Sequence, residues 1–196
     1  MTKDSDIKNI IVGISGASGA LYGINLLKKL KSTKEVRTHL VITKSANITI
    51  NYETDYTIKK IIELADYNYN INDIACVISS GSFVTHGMIV APCSVKTLSA
   101  IASGNCSNIL TRAADVILKE RRKLVLMLRE TPFNLIHIEN MRKVTLAGGI
   151  IMPPVPAFYA KPNSVNDIVD YSVARALDLL SIHDEAINRW DGLTDK

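Results

Sequence analysis

Residues 9–30, NIIVGISGASGALYGINLLKKL, decide the fold. Asn9 to Ile14 is short and almost wholly apolar, the pattern of a strand buried on both faces of a parallel sheet. Ser15-Gly-Ala-Ser-Gly-Ala20 supplies a tight turn, after which Leu21, Ile24, Leu27 and Leu30 recur at helical spacing. In such a strand–turn–helix unit, glycines let the backbone approach a ligand and the helix start offers N–H groups to an anion. A tight turn without a ligand is the plainer alternative. The stretch is not the dinucleotide fingerprint, because Ser15 and Ser18 stand where the later glycines of GxGxxG would fall. A ribose-binding carboxylate is also wanted at the end of the next strand, where Thr43-Lys44 stands. A phosphate-bearing mononucleotide fits better than NAD, and without GxxxxGK[ST] a P-loop NTPase is not expected.

Working outward, Val36–Ile42 reads as a strand, and Ala46–Tyr52 and Thr57–Ala65 as helices. Tyr67–Gly87 is rich in Asn, Ser and Gly and reads as irregular. Gly87–Ala91 is a strand ending at Pro92, followed by helices over Ser94–Ser103 and Asn108–Lys119. Leu124–Leu128 is a strand. Thr131-Pro132 predicts a helix start, with Thr as cap and Pro in the first position, running to about Leu146. Gly149–Met152 is a last strand, and Ser164–Ile182 a helix with an apolar stripe from Val165 to Leu180. Strands alternating with helices predict a single-domain, Rossmann-like (flavodoxin-like) α/β fold with a parallel sheet and helices on both faces. The domain is expected over residues 1–182, with a polar tail over 183–196. Ile187, Trp190 and Leu193 in that tail are expected to dock or to pack on a neighbour.

Composition narrows the function. The chain has 196 residues, 47% hydrophobic and 21% charged, which excludes global disorder. A scattered net charge of +4 suits small anions, and 6% aromatics is too few for a base-stacking platform, so no nucleic acid is expected. Cys76, Cys93 and Cys106 form no CxxC pair and cannot all be disulfide-bonded within one chain. With no signal-peptide pattern, a reduced cytoplasmic protein is expected. The apolar stretch Gly148–Ala160 is broken by Pro153, Pro154 and Pro156, so no membrane span is expected. His39, His86, His137 and His183 lack metal-ligand spacing, so no metal is expected.

In a parallel α/β sheet, sites lie beyond the carboxyl ends of the strands. There Ser94 can cap the next helix, and Thr97 with the local N–H groups can hold phosphate or flavin oxygens; a plain capping turn is the alternative. Cys93 reads as a small buried hydrophobe. Lys119, Arg121 and Arg122 close a helix, where cations complement its dipole. Arg129-Glu130, directly after a buried strand, is expected in the crevice or ion-paired beside it.

Together these segments closely resemble the UbiX-type flavin prenyltransferase family, within the wider flavoprotein fold that includes cysteine-peptide decarboxylases. The matching stretches are IIVGISGASGALYGINLL, HLVITKSA, ISSGSF, MIVAPCSVKTLSAIASG, TRAADVILKERRKLVLMLRETP, IHIENM and IIMPPVPAFYAKP, spanning about Ile10 to Ser181. The tail Asn188–Leu193 resembles the version associated with hydroxyarylic-acid decarboxylases. The resemblance implies an enzyme that joins the dimethylallyl group of dimethylallyl phosphate to N5 and C6 of reduced FMN, releasing phosphate. The product would serve as the cofactor of UbiD-type decarboxylases. It also implies no metal, and a homododecamer with sites at subunit contacts.

Position by position, the resemblance places Gly16, Ala17 and Ser18 in the FMN-binding turn, with Ser18 also facing the reacting centre. Thr43, Ser94, Val95, Lys96, Thr97 and Arg129 match further FMN contacts. Lys119, Tyr159 and Arg175 match prenyl-phosphate ligands, and Glu53 and Glu130 the acidic pair beside the leaving phosphate. The implied catalytic set is Ser18, Glu53, Lys119 and Glu130; Arg112 matches a supporting position. Leu128 departs from the family, where proline often precedes the Arg-Glu pair. Phosphate departure develops negative charge, which Lys119, Arg175 and the Tyr159 hydroxyl suit. Ring closure needs a base, for which the phosphate itself or a carboxylate such as Glu130 could serve. A flavin-dependent cysteine decarboxylase would want a catalytic histidine after the first helix and a PxMNxxMW-like segment, which are absent. A non-catalytic flavin carrier or accessory subunit of a decarboxylase is the remaining alternative.

Overall fold

Along β1 (Lys8–Ile14), Ile10, Val12 and Ile14 face one hydrophobic layer and Ile11 the other, as alternation along a doubly covered strand requires. The structure, a computed structural model, describes residues 7–183 together with Trp190 and Gly192. The remaining strands are β2 (Val36–Ile42), β3 (Tyr67–Tyr69), β4 (Gly87–Cys93), β5 (Lys123–Leu128) and β6 (Ile150–Ile151). All pair in parallel, in the order β3-β2-β1-β4-β5-β6. The order reverses between β1 and β4, which opens a crevice at their carboxyl ends.

Helices α1 (Ala20–Lys31), α2 (Lys44–Glu53), α3 (Ile58–Ile62) and α7 (Val165–Leu179) cover one face. Ile24 and Leu27 of α1, Ile50 of α2 and Val173 of α7 close on Ile10, Val12 and Ile89 there. Helices α4 (Val95–Ala102), α5 (Ile109–Lys119) and α6 (Leu135–Leu146) cover the other face, where Leu98, Leu110, Ile117 and Val144 meet Ile11, Met88 and Leu126. The expected α/β class with helices on both faces is observed. Among the described residues no helix is long and apolar enough to cross a membrane.

Several boundaries differ from the sequence expectation. A short edge strand, β3, forms inside the segment read as irregular. Its Tyr67 and Tyr69 rings lie parallel to the His39 ring at 4.8 and 5.9 Å, and Asp66 accepts from the Thr38 N–H at 2.7 Å. Those contacts lie with β2, so local composition does not reveal them. Strand β4 continues through Pro92 to Cys93. The β4–β5 register shifts between Val90 and Cys93, where a residue without an N–H is tolerated. The α6 helix starts at Leu135, not at Thr131-Pro132. Asn134 and His137 cap each other there, the Asn134 carboxamide accepting the His137 N–H at 2.9 Å, and Asn is the better cap. The helix expected over Thr57–Ala65 shortens to five residues, and α7 ends at Leu179. The tail calls on Ile187 and Leu193 lie outside the described residues, and so does most of the 183–196 segment. Trp190 is exposed, with its ring 5.6 Å from that of Tyr159.

Candidate active site

Ser15 ties the two sides of the crevice together. Its hydroxyl donates to the Pro92 carbonyl at 2.8 Å and accepts the Ser94 N–H at 2.8 Å, in a setting only 1% exposed. The β1–α1 turn is thereby locked to the β4–α4 turn. Beside it lies a cleft of about 670 Å³, within the size range of small-molecule sites. Three helix starts contribute to its wall: Thr43, Lys44 and Ser45 of α2, Ser94, Lys96 and Thr97 of α4, and Ser107, Asn108 and Thr111 of α5. Each helix is capped by its own side chain. Thr43 accepts from the Ala46 N–H, Ser94 from Thr97 and Asn108 from Thr111. The remaining first-turn N–H groups, with Lys44 and Lys96, favour an anion.

Thr43, Ser94, Lys96 and Thr97 are therefore brought into one cleft. Val95 is not among its lining residues. Gly16 packs against Ser45; an added Cβ would come within 2.5 Å of the Ser45 Cβ, so the backbone approach requires glycine. Sequence reasoning missed Ser45, Ser107, Asn108 and Thr111 as cleft residues. Asn108, a readable helix cap, was the available signal for the last three.

At the start of α1 the Gly19 and Ala20 N–H groups are already taken, where the sequence pattern predicts them open to an anion. The Glu53 carboxylate, at the end of α2, accepts from Gly19 at 2.8 Å and Ala20 at 3.0 Å. It supplies the anion that the helix start attracts. Gly19 has a φ of 102°, a conformation that Gly adopts without strain. Burial raises the Glu53 pKa, but hydrogen bonds from Ser18, Ala20 and Gly19 and the Arg129 charge outweigh it, leaving the carboxyl below its ordinary value. Ser18, Glu53 and Arg129 thus form one cluster at the mouth of the crevice. Tyr22 joins it, its hydroxyl pKa raised by burial against the lowering effect of Arg129. Arg129 also donates its backbone N–H to the Cys93 carbonyl at 3.0 Å, and the adjacent Glu130 accepts from the Thr131 N–H at 3.0 Å. The Cys93 thiol is fully buried and pushed up in pKa by that burial, which makes it a packing residue.

Lys119 and Arg175 stand on helices of opposite faces of the sheet, α5 and α7, while Tyr159 reaches α7 one turn before Arg175. Lys119 ends α5 at the amino edge of the sheet and pairs with Glu120. Arg175 pairs with Asp178 at 2.6 Å, near the end of α7. That helix is followed by Leu180, whose carbonyl meets His86 at 2.7 Å, just ahead of β4. Tyr159 lies in a short 3-10 turn beyond β6, its hydroxyl on that of Tyr171. Arg112 pairs with Asp115 at 2.7 Å. Arg122 does more than complement a helix dipole: it donates to the carbonyls of Gly81 and Phe83, both at 2.8 Å, and to the Thr85 hydroxyl at 3.1 Å. Among the described residues no group of His, Cys, Asp and Glu could hold a metal ion.

Comparison with known proteins adds to this geometry. The family model described as Flavoprotein matches residues 1–177. A Flavin prenyltransferase UbiX of Neisseria meningitidis serogroup B is 50% identical over 189 residues, covering 96% of this chain and 100% of the relative. A crystal structure of AnUbiX (PadA1) in complex with FMN and dimethylallyl pyrophosphate superposes with a TM-score of 0.94 at 52% identity, over 96% of this chain and 100% of that one. A dodecameric FMN-dependent UbiX-like decarboxylase from Escherichia coli O157:H7 gives 0.92 at 48% identity, covering 94% and 100%. With a crevice at the strand-order reversal, a hydroxyl-lined cleft, and half of its residues shared with such relatives along nearly the whole chain, this protein belongs to the flavoprotein family and, within it, to the UbiX-type flavin prenyltransferases.

Proposed function

We propose that this protein transfers a dimethylallyl group from dimethylallyl phosphate to N5 and C6 of reduced FMN, releasing phosphate. One observation carries the reading for this chain's own residues: three helix starts open on a single cleft beside the Ser18–Glu53–Arg129 cluster. The cleft fits FMN in size and chemistry, with Thr43, Ser94, Lys96 and Thr97 able to hold its oxygens and phosphate. Gly16, Ala17 and Ser18 form the turn beside the flavin, and Arg129 offers its guanidinium from the end of β5. Reduced FMN supplies the nucleophilic ring atoms when bound.

Lys119, Arg175 and the Tyr159 hydroxyl stabilise the charge that grows on the departing phosphate. Glu53 holds the Ser18 turn in place, and Glu130 or the released phosphate takes the proton lost on ring closure. Lys119 stands at the amino edge of the sheet and Ser18 at the carboxyl edge, so the reading implies that the complete site is shared between subunits. The dodecameric E. coli relative supports such an assembly. The product then passes to a UbiD-type decarboxylase. The three free cysteines suit a reducing, cytoplasmic setting.

The test is anaerobic incubation of the purified protein with reduced FMN and dimethylallyl phosphate. Phosphate release with a changed flavin spectrum is expected. FMN binding without release would instead make the protein a carrier.

A further inference from the structure

Lys119 carries four methylenes and a mobile ammonium, and a ligand of that kind gains from being held before substrate arrives. Three features converge on it at the amino edge of the sheet. Its Nζ pairs with Oε1 of Glu120, whose other oxygen lies 4.0 Å from the Arg122 guanidinium. The pair rests on Gly81: a Cβ there would collide with the Glu120 carboxylate and reach within 2.7 Å of the Lys119 Nζ. Gly81 is itself held by Arg122, which binds its carbonyl at 2.8 Å and also fastens Phe83 and Thr85. The Arg122 side chain is only 17% exposed, so this anchor is the rigid member of the group.

We infer that Glu120 is a positioning residue that holds the Lys119 ammonium ready for the prenyl phosphate, on a seat formed by Gly81 and Arg122. The inference rests on the reading of Lys119 as a phosphate ligand. An ammonium has three donors, so one on Glu120 leaves two for phosphate oxygens. The hydrogen bond from Lys119, followed by the charges of Lys119 and Arg122, keeps the Glu120 carboxyl below its ordinary pKa, so the partner stays anionic. Arg122 meanwhile spends its donors on loop carbonyls, which leaves Glu120 to orient the lysine.

The test compares Glu120→Gln, Gly81→Ala and Lys119→Ala with the parent under anaerobic conditions. It reads kcat/KM for dimethylallyl phosphate and the Kd for FMN. Glu120→Gln keeps the shape and an acceptor oxygen but removes the charge, so a purely structural role would survive it. Freeing one long side chain predicts a roughly 5- to 30-fold fall in kcat/KM for Glu120→Gln. Gly81→Ala, which displaces the pair, is expected to fall likewise, with FMN Kd parental in both. Parental kcat/KM in Glu120→Gln, alongside a defect in Lys119→Ala, overturns the inference. So does a defect accompanied by an equal loss of FMN affinity. Parental activity in Lys119→Ala instead overturns the reading of Lys119 itself. If Gly81→Ala fails to fold, Glu120→Gln decides alone.

Discussion

The Glu53 carboxylate accepts from two N–H groups at the start of a helix, 34 and 33 positions earlier in the chain. Its folded pKa lies below the ordinary value of 4.5, so its stabilising effect is present above that pH and is lost as pH falls through the folded pKa. Glu53→Gln is expected to cost about 0.5–1 kcal/mol at pH 7, with the difference lost once pH falls below the folded pKa, as followed by urea unfolding. His39 acts in the same direction for another reason. Its ring is 2% exposed and accepts from the Tyr69 hydroxyl at 2.8 Å, while Nε2 donates to the Asn9 carboxamide oxygen at 3.2 Å. Burial, opposed by the Asp66 charge and aided by that of Arg37, lowers its pKa from 6.5 to about 4. The neutral ring therefore stabilises the fold above pH 6.5, and this effect drains away as pH falls toward 4. In His39→Phe the slope of stability between those pH values should flatten; an unchanged slope would show that another group titrates there. Arg175 tests the site reading directly. Its pairing with Asp178 uses part of a five-donor guanidinium. On the proposed reading, Arg175→Ala removes a hydrogen bond to phosphate worth about 1.5–3 kcal/mol and lowers kcat/KM for dimethylallyl phosphate roughly 10- to 150-fold, with FMN Kd little changed. Parental turnover would leave Arg175 as an ion-paired helix residue.

At the scale of elements, the β1–α1 and β4–α4 turns act as one body because Ser15 bridges them. Ser15→Ala leaves the partly buried Ser94 N–H without its partner, at a cost of about 1 kcal/mol of stability. The same change loosens the start of α4, so FMN affinity should fall with it; isothermal titration and urea unfolding on one preparation check both. The start of α4 was legible in the sequence because a Ser cap is a local signal three residues long. The start of α6 was not: Thr131-Pro132 read as the start, and the reciprocal bonds of Asn134 and His137 place it at Leu135 instead. Strand β3 was illegible for a different reason. Its three residues pair with His39, Leu40 and Val41 of β2, and three residues in an Asn- and Ser-rich segment are too short a run to read as a strand alone.

Over the whole molecule, apolar surface is distributed unevenly. Helix α6 buries only Val144 among its twelve residues, while Leu135, Ile136 and Leu146 stand about 70% exposed. Phe133, Val155 and Phe158 add to the exposed apolar surface. Exposed apolar groups on this scale mark an interaction surface, and a dodecameric relative shares the fold. Light scattering at micromolar concentration should give a mass above that of a dimer. Ile136→Asp should lower it and reduce prenyl transfer, because Lys119 and Ser18 of one chain lie at opposite edges of the sheet. A monomer with full turnover would remove the shared-site reading.

The sequence by itself determined the α/β class, the alternation of elements, the Ser94 cap and the hydroxyl-bearing strand ends. These depend on periodicity and on contacts within a few residues, which the order of residues carries directly. It also carried the resemblance that names the family. Only the tertiary structure decided that Glu53 occupies the start of α1, that Ser15 joins two turns, and that Ser45, Asn108 and Thr111 share a cleft with Ser94. It likewise decided that Lys119 and Arg175 stand away from Ser18. Each of these depends on where distant segments meet once the helices pack on the sheet, and no local pattern encodes that meeting.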